Sequence, residues 1–416
     1  MAIIKPFKGL RPSKEIVKEL ACLPYDVMNS EEAAQMAEGK PKSLLRITRA
    51  EIEFKEGTNS HDEKVYIQAK FNFDTFQDKK FLLQDSEAKY YIYAQTMNDK
   101  TQYGIVGAAS CQDYLNGIIK KHELTRPDKE EDRKALTRIL KANIEPVFLT
   151  YRAVPEIDTI VSNIVSSNEP EYDFTTEDGF GHHFWIIKDA AITIELEQLF
   201  NEKVPFTYVA DGHHRTAAAA GMSEEFKSKN PNHTGNEAYN FFMAVHFPDT
   251  QLRIIDYNRV VKDLNGNSPK DFIHKIENNF IVNQISESIV KPEKLHDFSM
   301  YIDGKWYGLT AKKETFNDDS PLDSLDVNVL SKYVMDPILN IKDLRTDTRI
   351  DFVGGIRGLN ELSMRVDRGE MAVAFALFPV SMHQLMHIAD TNNIMPPKVT
   401  WFEPKLRSGL VINKLD

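Results

Sequence analysis

Cysteine is the first scarcity: only Cys22 and Cys111 occur in 416 residues. They form no CxxC pair and no ladder of half-cystines, which argues against a disulfide framework and for a reducing compartment. Long apolar runs are also missing. The longest, Met371 to Val380, is about half of the ~20 residues a membrane helix needs. In MAIIKPFKGLRPSKE at the start, only a short apolar patch precedes Lys5 and Pro6, so the h-region of a secretory signal is absent. A soluble cytoplasmic protein that makes no membrane contact is expected. Positive charge is in deficit, with a formal net charge of −11. That balance argues against a protein whose main task is gripping nucleic acid, because such affinity comes largely from Lys and Arg neutralising phosphates. No GxxxxGK[ST] occurs, and no GxGxxG lies between a strand and a helix, which leaves P-loop and Rossmann readings without support.

What remains is the composition of a folded protein, 42% apolar and 27% charged, long enough for two or three domains. Three regions are expected: 1–115, 116–264 and 265–416. In the first, NSEEAAQMAEG reads as a helix with Ser30 as N-cap, KSLLRITR and YYIYAQT read as strands, and KVYIQAKFNFDTFQDKKFL reads as an amphipathic helix. In the second, strands and helices alternate: KKHELTRPDKEEDR opens a helix, PVFLTY and HHFWIIKD are strands, and TYVAD leads into an Ala-rich helix. NFFMAVHFP and LRIIDYNRVV look like a closing hairpin. The third region alternates amphipathic helices with strands, and its acidic DDSPLDSLD lacks the glycine and spacing of a calcium loop. The expected class is α/β, of the mixed α+β kind.

TYVADGHHRTAAAA, Thr207 to Ala220, packs Asp211, Gly212, His213, His214 and Arg215 into one strand-to-helix turn. The start of a helix exposes unpaired N–H groups and the positive end of its dipole, and so forms an anion site before any side chain is counted. Gly212 lets a ligand approach the backbone closely. Arg215 offers a fork matched to phosphate or carboxylate, and the histidines add donors. Each residue alone has a plain alternative: Asp211 as N-cap, Arg215 as partner of a surface carboxylate, the histidines as first-turn polar residues. Five together favour the anion site. Adjacent histidines project about 100° apart on a helix, which disfavours joint chelation, so no protein-held metal is expected and Mg2+ is read as borne by the substrate.

A second constellation, KKHELTRPDKEEDR, carries His122 and Glu123 before a charged loop with Lys121, Arg126 and Arg133. A carboxylate near a phosphate-binding turn suits phosphoryl transfer to an alcohol, where the acid orients the hydroxyl and accepts its proton. Glu123 is the candidate base; a solvated charged loop is the plain alternative. Asp26 in LPYDV could face the same pocket, but a turn-stabilising role is the favoured reading. Lys398 and Lys405, in MPPKVTWFEPK, could reach a phosphate, but lysines on a Pro-broken surface segment are more often solvated, and they are left outside the site.

The order HE, helix, PVFLTY strand, then DGHHR before an Ala-rich helix resembles the core of the ParB/sulfiredoxin superfamily, and over residues 116 to 225 it is most similar to the free serine kinases. The whole chain, through LPYDV, KHELTRPDKEEDR, ADGHHRTAAA and MPPKVTWFEPKLRSGL, resembles a widespread bacterial family of unknown function built around that core. The resemblance implies a ParB/sulfiredoxin-like core with additions at both ends, and a nucleotide-dependent kinase acting on a small-molecule hydroxyl, L-serine or a similar metabolite. It implies ATP or ADP as donor with Mg2+. Glu123 would be the general base, His122 and Asp211 would lie at the catalytic centre, and Gly212, His213, His214, Arg215 and Arg126 would hold phosphates. Some 70 residues between PVFLTY and the box depart from a compact core. The turn has no cysteine, which disfavours sulfinic acid reduction. A nucleotide-binding regulator or scaffold without turnover is the alternative, and the sequence is compatible with a homo-oligomer.

Overall fold

The computed structural model describes all 416 residues. The chain divides into two compact units, Met1–Leu252 with Pro404–Asp416, and Arg253–Glu403. The first two sequence regions lie in the first unit, apart from the last residues of the second region. The third lies in the second unit until Pro404, where the chain returns to the first.

The first unit is built on a mixed nine-stranded sheet. Thr207–Asp211 pairs parallel with Ile119–Lys120 on one side and antiparallel with Val147–Tyr151 on the other. Val147–Tyr151 runs parallel to Phe241–Pro248, and beyond it follow Lys100–Ser110, Tyr91–Met97, Gly181–Ile186 and Tyr172–Thr175, all antiparallel. The central strands VFLTY and FFMAVHFP are buried on both faces, which explains why they read as continuous apolar runs rather than alternating ones.

Two helices cover the sheet near the box. Pro127–Leu140 begins with proline at its first position, where the missing N–H costs nothing, and ends on Lys141 in the left-handed region. It packs along His213–Lys229, whose Ala217 to Ala220 are all buried. Alanine at four successive positions lets the helix approach both its neighbour and the sheet closely, because no larger side chain holds them apart. Arg138 joins the two helices through a forked contact with Glu225, its shortest arm 2.8 Å.

A second, four-stranded sheet runs in the order Leu82–Gln84, Gly9–Pro12, Ile412–Lys414, Ala142–Asn143. The last strand of the chain is thus inserted between Gly9–Pro12 and Ala142–Asn143, paired on both sides. The second unit is a six-stranded antiparallel sheet with Asp297–Ile302 and Val373–Leu377 at its centre. DDSPLDSLD runs into a short helix, Asp326–Leu330.

Three expectations are corrected. Asn29, not Ser30, caps the helix Ser30–Ala37: its side chain accepts from the Glu32 amide while Glu32 returns the bond, a full capping box. KSLLRITR is not a strand but holds the short helix Leu45–Thr48. Its buried Leu44, Leu45, Ile47 and Thr48 recur at helical rather than alternating spacing. Phe241–Pro248 and Tyr257–Val261 do not form a hairpin; each finds its partners in a different sheet. No helix is long and apolar enough to cross a membrane.

Candidate functional site

Strand register brings the two constellations together. Tyr208 lies opposite Lys120 in a parallel pair, so the residues just beyond the end of each strand come close together. His122 and Glu123 both meet His213. The His122 ring stands edge-on to the His213 ring, centroids 4.6 Å apart at 89°, and Glu123 Oε2 lies 3.7 Å from His213 Nδ1.

Gly212 makes the turn. It adopts φ +95° and ψ +32°, and a Cβ there would come within 3.1 to 3.2 Å of the Arg215 guanidinium. Only glycine meets both demands without strain. Gly212 is also the N-cap, and no side chain caps the helix. The plain reading of Asp211 as a capping residue therefore does not hold. The first N–H groups of His213–Lys229 have no carbonyl one turn back, so the helix start keeps its affinity for anions.

Asp211 instead pairs with Lys405, whose ammonium is 2.9 Å from Oδ2. Burial alone would raise this carboxyl, but Lys405 and Arg215 outweigh it and hold it well below the ordinary range. Burial lowers His122 to about 4, and burial together with the neighbouring His122 pushes His213 well down. Both rings are neutral near pH 7. His213 Nε2 is buried without a partner.

His214 accepts at one ring nitrogen, which leaves the other as the donor of the neutral ring. Its Nε2 accepts the backbone N–H of Arg126 at 3.0 Å, tying the start of one helix to the residue that precedes the other, Pro127–Leu140. Burial lowers this ring too.

Arg215 keeps part of its fork: Nε is buried without a hydrogen-bond partner, and Nε and Nη2 lie nearest to where a Gly212 Cβ would stand. The side chain is buried; Nη1 donates to the Pro146 carbonyl, and Nη2 faces Asp211 Oδ1 at 3.9 Å. Burial opposes its charge, while Asp26, Asp211 and Glu145 sustain it. It is part of the frame beneath the turn, because the antiparallel partner of Thr207–Asp211 begins just after Pro146 and brings that carbonyl under the helix start. Arg126 is likewise engaged, with Nη2 2.8 Å from Asp128 on an exposed surface. Lys121 lies over the Tyr114 ring, and Arg133 is buried over the Tyr25 ring with Asp132 and Glu145.

Three residues escape sequence reasoning. Lys405 reads in sequence as a cation that could reach phosphate but stays outside the site, because its partner is 194 residues away and nothing local reveals it. Glu145 is buried, raised by that burial, and accepts the Tyr25 amide at 2.9 Å. Tyr25 closes the packing over Arg133. The one available signal is the Pro-Tyr-Asp stretch beside Asp26, whose charge bears on both His214 and Arg215. Lys398 lies in the second unit, over the Tyr257 ring.

The oxygen donors at the turn do not suit a caged metal. Asp211 is held by Lys405, and no three His, Cys, Asp or Glu side chains converge as ligands. A cavity of about 710 Å3 lies against the far end of the box helix at Ser223, Glu224 and Lys227 rather than at the turn. The chemistry-bearing groups, not the volume, mark the turn as the candidate site.

A family model described as protein of unknown function (DUF1015) matches residues 4–328. The chain belongs to the DUF1015 family. The matched span includes Glu123 and the whole DGHHR box but ends well before Lys405. No curated protein matches this DUF1015 chain. Among solved structures, a free serine kinase in complex with AMP is 10% identical with a TM-score of 0.35, covering 74% of this chain and 91% of that one. SbnI with a C-terminal truncation, from Staphylococcus aureus, is 10% identical with a TM-score of 0.38, covering 74% and 87%. A conserved hypothetical protein from Pyrococcus furiosus is 12% identical with a TM-score of 0.34, covering 74% and 95%.

Proposed function

We propose that this DUF1015 protein binds an adenine nucleotide at the Asp211–Arg215 turn and transfers a phosphoryl group to the hydroxyl of a small metabolite, L-serine or a relative. The observation that carries the reading is the placement of the Glu123 carboxylate 3.7 Å from His213, at a helix start that no side chain caps. Such a start attracts phosphate oxygens. A carboxylate beside it is placed to orient an attacking hydroxyl and take its proton.

In this reading the acceptor oxygen forms a bond to the terminal phosphorus of ATP or ADP, and the bridging P–O bond breaks. The acceptor proton passes to Glu123, and the departing ADP or AMP leaves on its own phosphate oxygens. Neutral His122 and His213 place no imidazolium charge beside the Glu123 carboxylate. Asp211 fixes the strand end, and Mg2+ arrives with the nucleotide. Arg215 holds the turn in shape.

The test is turnover. Purified protein is incubated with labelled ATP or ADP, Mg2+ and a panel of hydroxyl metabolites. Phosphorylated product is expected, and Glu123→Gln should lower its rate about 10²- to 10⁴-fold, the usual worth of a general base, while nucleotide binding persists. Tight binding with no product in any mixture would favour a nucleotide-binding regulator or scaffold and sink the kinase.

A further inference from the structure

We infer that Lys405 is the principal cation for the ligand phosphate at the turn, and that Asp211 holds it in place until the ligand arrives. The inference rests on the phosphate-binding reading of the turn and adds a residue from outside the span that the family model matches.

The other cations near the turn are engaged, apart from the Nε edge of Arg215, which is buried against Gly212. Arg215 is buried on the Pro146 carbonyl, Arg133 is buried on Asp132, Arg126 is folded onto Asp128, and Lys121 lies over Tyr114. A phosphate placed on the helix start would meet neutral histidines and three carboxylates: Glu123, Asp26 and Asp211. It needs a cation that can turn toward it. Lys405 donates its 2.9 Å bond to a residue of the box itself, and its side chain is only 12% exposed. A lysine ammonium on a flexible stem can exchange one oxygen partner for another, or share its three N–H bonds between a carboxylate and a phosphate.

The backbone around Lys405 is firmly held. The Lys405 carbonyl accepts from buried Gln95 at 2.9 Å, and the Arg407 amide donates to Tyr93 Oη at 3.2 Å. The Arg407 guanidinium pairs with Asp178, Ser408 bridges to Cys22, and Ile412–Lys414 is paired on both sides. This much anchoring is more than a loose tail needs, and it delivers one ammonium to one carboxylate. The chain leaves the first unit at Leu252 and returns at Pro404, so the site is completed only by the returning segment.

The test uses the full-length protein and measures ADP binding by calorimetry for wild type, Lys405→Ala and Lys405→Arg. Each variant is first checked for an unchanged melting curve, and Lys405→Gln replaces Lys405→Ala if that variant is unfolded. Loss of a charged phosphate contact is expected to weaken ADP about 10- to 100-fold, with Lys405→Arg within about threefold of wild type. A folded Lys405→Ala that binds ADP as tightly as wild type overturns the inference and leaves the nucleotide reading standing. Wild type that binds no adenine nucleotide overturns that reading instead, and pyrophosphate then serves as probe. Stabilisation by pyrophosphate in wild type but not in Lys405→Ala upholds the role of Lys405. No stabilisation of wild type overturns both.

Discussion

At the scale of single residues, burial decides protonation around the turn. His122 is fully buried and lowered to about 4, so the folded protein resists a proton that the unfolded chain accepts near the ordinary value of 6.5. Below 6.5 the unfolded state therefore binds more protons than the folded one. The contribution of this ring to stability is whole above about pH 6.5 and is lost progressively as pH falls toward 4. The loss amounts to something on the order of 3 kcal/mol for a shift of this size. His182, lowered to about 3, and His246, lowered to about 4, add in the same direction. Melting curves taken from pH 7.5 to 4.5 should fall steeply over that window, and His122→Asn should show a shallower fall than wild type. An unchanged slope in the variant would remove His122 from the account.

At the scale of elements, the turn depends on one glycine. Gly212→Ala places a Cβ in the left-handed region and against the Arg215 guanidinium, which should cost about 1 to 2 kcal/mol and lower the melting temperature by a few degrees. Nucleotide affinity should fall with it. Gly39 is a control with φ +69° and open space where a Cβ would stand, so Gly39→Ala carries only the backbone cost and should leave binding intact. Equal effects on binding would show that backbone strain, not the site, is being measured. Elements of this kind are the most legible in the sequence. TYVAD, Gly212 and an Ala-rich run declare a strand, a turn and a closely packed helix by local chemistry alone. KSLLRITR misleads because alternation and helical spacing overlap over eight residues. The expected hairpin fails because strand pairing is settled by distant partners: Phe241–Pro248 lies between Lys100–Ser110 and Val147–Tyr151, and nothing near it in sequence reveals that.

At the scale of the whole molecule, the candidate site gathers chain segments that are far apart in sequence. Glu123 reaches His213 beyond a two-residue parallel pairing, Ile119–Lys120 against Thr207–Asp211, that no local pattern advertises. Lys405 reaches it only because the last strand of the chain is threaded between two others. The residue types of the box are legible; their partners are not, since a lysine in a Pro-broken segment looks solvated until its fold is known. Arg215 shows the same limit in reverse, for a guanidinium that looks free in sequence gives one arm to the Pro146 carbonyl. The account stands or falls on where phosphate sits. The most direct measurement is the crystal structure of the full-length protein grown with ADP and Mg2+. The expected density places the terminal phosphate on the amides that open His213–Lys229, with the Lys405 ammonium turned onto it and the Glu123 carboxylate facing it. Phosphates bound elsewhere, with the Lys405–Asp211 pair undisturbed, would contradict it.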